Sequence, residues 1–107
     1  MRRKLAPKKQ RQLFLTKVQA LLLGLGAVHH EEEFILQTKI GSLTLSASEN
    51  TVEGLGSVFG RFDDPTLARS LVDCNPYSGK WNHHYFSGWT VETAIVEFSF
   101  HVQALLA

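Results

Sequence analysis

A small single-domain α+β fold, an antiparallel sheet of three to four strands with helices packed on one face, follows from three features of the 107-residue sequence. Apolar residues recur at helical spacing near the start, the period changes to two in the middle, and helix-compatible spacing returns at the end. The resulting order is α-β-β-β-α-(β)-α, with a basic flexible arm over residues 1–8 and one α+β domain over residues 9–107. That length is near the commonest domain size and can bury a core without metal or disulfide staples.

Residues 1–8 are polar and carry Pro7. From Lys9 to Leu23, Phe14, Val18, Leu21, Leu22 and Leu25 fall on one helical face, with Gln10, Lys17 and Gln19 elsewhere. Gly24 and Gly26 end this helix, because glycine accepts the left-handed backbone that closes a C-terminus. After the polar run His29 to Glu33, Phe34, Leu36, Thr38 and Ile40 point one way and Ile35, Gln37 and Lys39 the other. Gly41-Ser42 reads as a two-residue hairpin turn, which places Ile40 opposite Leu43 and lets Leu43, Leu45 and Ala47 continue the same face. Glu49-Asn50 ends that strand, and Ser57 to Phe62 forms a third. In Asp63-Asp64-Pro65 the carboxylate of Asp64 can cap free N–H groups and Pro65 suits the first helical position, so a helix starts there, buries Leu67, Ala68, Leu71 and Val72, and stops before Asn75-Pro76.

Trp81 to Phe86 fits a fourth, short strand. The last segment fits two readings. Val96 to Val102 alternates like a strand, yet Val91, Ala94, Ile95, Phe98, Val102 and Leu105 share one helical stripe. Thr90 as a cap, Glu92 in the first turn and the Ala-Leu-Leu-Ala ending favour the helix.

The net charge of +1 conceals an asymmetry. Arg2, Arg3, Lys4, Lys8, Lys9, Arg11 and Lys17 put seven of the eleven basic residues in the first seventeen positions. The first acid is Glu31, and from residue 18 onward ten acids face four bases. Such an arm attracts polyanions such as nucleic acid or a membrane surface, although short basic termini also serve as solvated tails. A secretory leader is disfavoured, since Lys17 and Gln19 interrupt the apolar run and no small-x-small site follows. No segment approaches the length of a membrane span. Cys74 is the single cysteine, which excludes an internal disulfide framework and favours a cytoplasmic protein.

The stretch Asp73 to Trp89 is the densest in chemistry, with the one Cys, both Trp, both Tyr and two of the five His. Its candidate binding residues are Asn75, Tyr77, Lys80, Trp81, Asn82, His83 and His84. Aromatic rings and amides of this kind recur at binding hot spots, and on a sheet they stack single-stranded bases. The plainer alternative makes Asn-Pro-Tyr-Ser-Gly a turn, with Trp81 and Trp89 plugging the sheet against the helices.

Catalytic and metal signatures are incomplete. His29-His30-Glu31 lacks the second histidine of a zincin, because Phe34 stands where it is needed. Adjacent His83 and His84 on a strand point to opposite faces, so no metal site and no cofactor is assigned. Cys74 with His83 or His84 has the residue types of a Cys/His hydrolase, but it follows a helix C-terminus, whose dipole disfavours a thiolate. Gly54-x-Gly56-x-x-Phe59-Gly60 misses the dinucleotide fingerprint by one place, and Gly79-Lys80 lacks the flanking residues of a phosphate loop.

Gly60-Arg61-Phe62-Asp63-Asp64-Pro65 and Asn75-Pro76-Tyr77-Ser78-Gly79-Lys80-Trp81-Asn82-His83-His84 are similar to a pattern in small uncharacterised proteins of bacterial phages, plasmids and integrated elements. The resemblance covers roughly residues 34–86 and implies the same strand, strand, strand, helix, aromatic-loop order. It implies a non-enzymatic accessory protein and transfers no activity; the basic first helix lies outside it. The expectation is therefore a cytoplasmic binding module whose partner is a protein or a nucleic acid, met through the 73–89 loop, with Arg2, Arg3, Lys4, Lys8, Lys9 and Arg11 adding salt-sensitive attraction to nucleic acid. The alternatives are a protein-interaction factor or homodimer using the first helix or a sheet edge, and a small Cys/His hydrolase or metal-binding protein.

Overall fold

Alternation of apolar and polar residues builds four of the five strands among the described residues, and their inward side chains meet on a single face. The computed structural model describes residues 6–49, 54–64, 80–85 and 90–106. Helix α1 (Lys8–Gly24) is followed by β1 (Val28–His30), β2 (Glu33–Thr38), β3 (Gly41–Glu49), β4 (Gly56–Phe62), β5 (Lys80–Tyr85) and α2 (Val91–Leu106). The strands pair in chain order, all antiparallel, in one meander. The architecture is the expected α+β class, with five strands in place of three to four.

The register aligns the core in rows. Phe34, Leu45, Gly60 and Trp81 form one row across β2 to β5, and Leu36, Leu43 and Phe62 the next. Phe14, Val18 and Leu22 of α1 and Ala94, Phe98, Val102 and Leu105 of α2 close over these rows and join the same cluster. The stripe expected for the last segment is therefore the buried face of a helix. Its start is as the sequence implies, for Thr90 Oγ1 accepts the Thr93 N–H at 3.1 Å.

The additional strand, β1, pairs His30 with Glu33 and Val28 with Ile35 across a two-residue turn at Glu31-Glu32. Glu31 takes φ 57°. A glutamate in the left-handed region carries no turn signature, which hides this hairpin in a polar run.

The β2–β3 turn lies two residues earlier than the sequence suggests. Thr38 pairs with Gly41 and Leu36 with Leu43, so Lys39-Ile40 make the turn and Ile40 does not face Leu43. Gly41 is used just after the turn, at φ 119°. A Cβ there would stand 2.6 Å from Asp63 Oδ1, the atom that accepts the Ser42 N–H. Thr38 Oγ1 braces the corner by donating to Gly41 O and accepting from the Ile40 N–H. Because the shift is an even number of residues, Leu43 and Leu45 keep the face assigned to them. Lys39 N–H then donates to Leu105 O, tying the turn to the end of α2.

Within the stretch expected as an arm, Ala6 and Lys8 are already part of the packed domain. Ala6 is buried, its N–H donates to Gly54 O at 3.0 Å, and its carbonyl accepts from Arg11 Nε. Lys8 already belongs to α1. The helix expected after Pro65 lies outside the described residues, and Asp63 serves the β3 backbone.

Gly60 sits where the sheet admits no side chain. A Cβ there would lie 2.9 Å from Trp81 O and 3.0 Å from Leu45 Cδ2. Gly60→Ala is expected to destabilise the fold by about 1–3 kcal/mol, read as a lower urea midpoint with an unchanged slope.

Candidate functional site

Strand β5 sorts the sequence candidates by parity. Trp81 is 2% exposed and Tyr85 is buried with it, while Lys80, Asn82 and His84 are exposed on the opposite face. Trp81 is therefore the plug of the plainer reading. His83 turns inward with Trp81, so the two adjacent histidines do serve opposite faces. Asn75 and Tyr77, with Cys74 and Trp89, lie outside the described residues, as do Arg2, Arg3 and Lys4. Lys8 and Lys9 are exposed on the first turn of α1, and Arg11 is half-buried beside Ala6.

On the inner face an aromatic chain runs from β5 to α2. The Trp81 ring meets His83 at 4.4 Å between centroids, and His83 stacks on His101 at 4.4 Å. His101 Nε2 lies 3.1 Å from Glu97 Oε1, one turn earlier on the helix. Tyr85 packs against Phe14 of α1 at 5.2 Å. Burial foremost, and the negative charge of Glu97 second, push the Tyr85 hydroxyl above its ordinary value of 10.0. These residues join β5 to both helices. Among the described residues no group of three His, Cys, Asp or Glu is gathered that could hold a metal ion.

The outer face is the candidate site. Arg61 of β4 and Lys80 of β5 are direct cross-strand partners, and Phe59 pairs with Asn82 in the next row. Phe59 is 39% exposed, the one large apolar side chain of β4 on this face. Asn82 is oriented by its own sheet, its Oδ1 accepting the Gly60 N–H at 3.3 Å. One row further, Ser57 Oγ and His84 Nδ1 share a 2.7 Å hydrogen bond, and the His84 ring stands edge-on to Phe59 at 5.8 Å. A concavity of about 370 Å³ opens over Thr44, Ser46, Phe59, Arg61, Lys80 and Asn82, with Glu33 at its far side. Beyond Glu33 the acidic turn Glu31-Glu32 and His29 line a neighbouring hollow. Positive charge thus gathers on β4 and β5 and negative charge at the β1–β2 end.

Ser57 with His84 has the residue types of a nucleophile and its base. However, Ser57 is 4% exposed, which shields its oxygen from a substrate. Among the described residues no carboxylate is hydrogen-bonded to His84 to complete a triad. The pair instead fixes the plane of the His84 ring.

Phe59, Arg61 and Ser57 are site residues that the sequence reading passed over. Their signal is the alternation Ser57-Val58-Phe59-Gly60-Arg61-Phe62, in which Phe59 falls in phase with Ser57 and Arg61 and out of phase with the core. Compared with known proteins, the chain matches no protein-family model, no curated protein and no solved structure.

Two outcomes are expected. Trp81→Ala should cost about 3–5 kcal/mol, whereas Asn82→Ala, one residue away, should stay within about 0.5 kcal/mol in the same denaturation assay. For Tyr85, the raised value means the folded state keeps a proton that the unfolded state releases. Its contribution is whole below pH 10 and declines as pH rises further. Tyr85→Phe should accordingly flatten the loss of stability above pH 10, followed by circular dichroism.

Proposed function

We propose that this protein is a non-enzymatic binding module that holds single-stranded nucleic acid across the outer face of its sheet. The observation that carries this reading is the exposed Phe59 ring set beside Asn82 and the cross-strand pair Arg61 and Lys80. Arg61 and Lys80 gather two positive charges on neighbouring strands, which attract an anionic ligand to this face. Phe59 offers a base a stacking surface worth about 1–3 kcal/mol, tolerant of sequence because every base has a π-face. Asn82 and the His84 edge add hydrogen-bonding groups for base edges. The acids at the β1–β2 turn repel phosphate, so the backbone of the ligand follows β4 and β5 and its bases lie inward over Phe59.

This places the contact on the sheet, with Lys80, Asn82 and His84 shared with the 73–89 stretch. Residues Lys8 and Lys9 belong to α1, which covers the other face of the sheet, so they add salt-sensitive attraction without reaching the same nucleotides. A reducing cytoplasm suits a chain whose one thiol, Cys74, has no cystine to form. No helix among the described residues is long and apolar enough to cross a membrane.

The test is fluorescence anisotropy with single-stranded DNA and RNA oligonucleotides of about 12 nucleotides, within the footprint of small sheet-based binders. Phe59→Ala should weaken binding about tenfold with the fold intact. Arg61→Ala and Lys80→Ala should each reduce the slope of log K against log salt by about 0.7. Binding indifferent to Phe59→Ala yet abolished by removing residues 1–5 would reduce the activity to a sticky terminus and sink the proposal.

A further inference from the structure

The hollow on the outer face of the sheet is divided by charge. Glu33 precedes Phe34, whose row crosses Leu45, Gly60 and Trp81, so it falls on the neighbouring outward row with Ser46, Phe59 and Asn82. It is exposed and bounds the same concavity of about 370 Å³ as Arg61 and Lys80. Strand β3 lies between β2 and β4, so about 10 Å separates the backbone of Glu33 from that of Phe59 and Arg61. A planar ligand laid on the Phe59 ring can therefore meet the carboxylate at one edge and the guanidinium at another.

Each group is restricted in the hydrogen bonds it offers. Asn82 Oδ1 is turned to the Gly60 N–H, so the amide presents its Nδ2 donors to a ligand. Arg61 and Lys80 only donate, and ionised Glu33 only accepts. The His84 ring, held by Ser57 and edge-on to Phe59, stands on the side of Phe59 away from Arg61. A base over Phe59 thus finds donors along one edge and a pair of acceptor oxygens along the next.

Guanine carries the matching pattern. Its O6 and N7 are adjacent acceptors, and its N1–H and N2 amine are adjacent donors. We infer, resting on the nucleic-acid reading above, that the site takes guanine in a single strand. Glu33 accepts from N1–H and the N2 amine, and Arg61 donates to O6 and N7. Adenine would set its N6 amine against the Arg61 and Asn82 donors and its N1 lone pair against the Glu33 carboxylate. An Asn reads adenine with both amide ends, and Asn82 has its oxygen engaged. Lys80, on the far strand, remains for a phosphate. Glu33 so acquires a second task, selecting the base as well as turning phosphate away.

The test is fluorescence anisotropy of the full chain with thymidine oligonucleotides of about five residues, short enough to hold one register. Each carries a central guanine, hypoxanthine, 7-deazaguanine or adenine. Guanine should bind tightest and adenine about tenfold more weakly, with hypoxanthine (no N2 amine) and 7-deazaguanine (no N7) between them. Glu33→Ala should erase the preference for guanine over hypoxanthine without weakening the adenine oligonucleotide. Arg61→Ala should erase the preference for guanine over 7-deazaguanine. If Glu33→Ala instead strengthens every oligonucleotide alike and leaves the preference intact, the carboxylate only repels phosphate and the proposal fails. Equal binding of all four central bases overturns the choice of guanine and leaves the nucleic-acid reading standing. Binding of none of them overturns both.

Discussion

One constraint governs the molecule: strands β2 to β5 turn a common apolar face toward two helices that must cover it. Leu43, Leu45, Val58 and Phe62 are at most 2% exposed beneath Phe14, Val18 and Leu22 of α1 and Phe98 and Val102 of α2. Burial of each such side chain is worth about 1.5–3 kcal/mol, which makes a one-residue slip in any strand prohibitive. The outer face is determined at the same stroke. Gly60 faces Trp81 because the core requires it, and Arg61 then has to face Lys80. The juxtaposition of two cations is a consequence of the packing on the reverse side of the sheet.

That consequence need not have been kept. An exposed position tolerates replacement at little cost, and a threonine or glutamate at residue 61 or 80 would disperse the positive charge. The same holds for Phe59, whose ring spends surface on water where β4 otherwise puts small or polar groups. Departures from local economy that cluster within two rows of a sheet mark a place where folding and binding ask for different residues. The outer stripe of α2 departs in the same sense, with Phe100 and Val96 standing where the rest of the helix exterior is polar.

The sequence made much of the fold legible through periodicity. The face of α1, the stripe of α2 once it is read as a helix, and the parity of β2 and β3 follow from spacing, since burial repeats with the geometry of each element. Turn geometry was less legible. Gly41 could serve within the hairpin turn or just after it, and the deciding contact is with Asp63, 22 residues away. Strand β1 escaped notice because Glu31 adopts a backbone that its side chain does not advertise. Ala6 looked like part of a polar tail, and only its bond to Gly54 reveals it as packed. For the site, Lys80, Asn82 and His84 were legible as chemistry-bearing residues. Their partners Phe59 and Arg61 were not, because they belong to another strand and become neighbours only through register.

Helices α1 and α2 touch each other although one opens the described chain and the other closes it. The meander between them can zip strand by strand, β2 to β4 each finding its mate just upstream and β5 reaching back from Lys80 to Arg61, but the lid over it is split between the two helices. During synthesis the first helix can cover only part of the sheet, and the remaining apolar rows face water until residue 106 has left the ribosome. A nascent chain stalled anywhere in the last sixteen described positions would thus present a sticky, half-roofed sheet, the state in which chaperones or premature aggregation would find it.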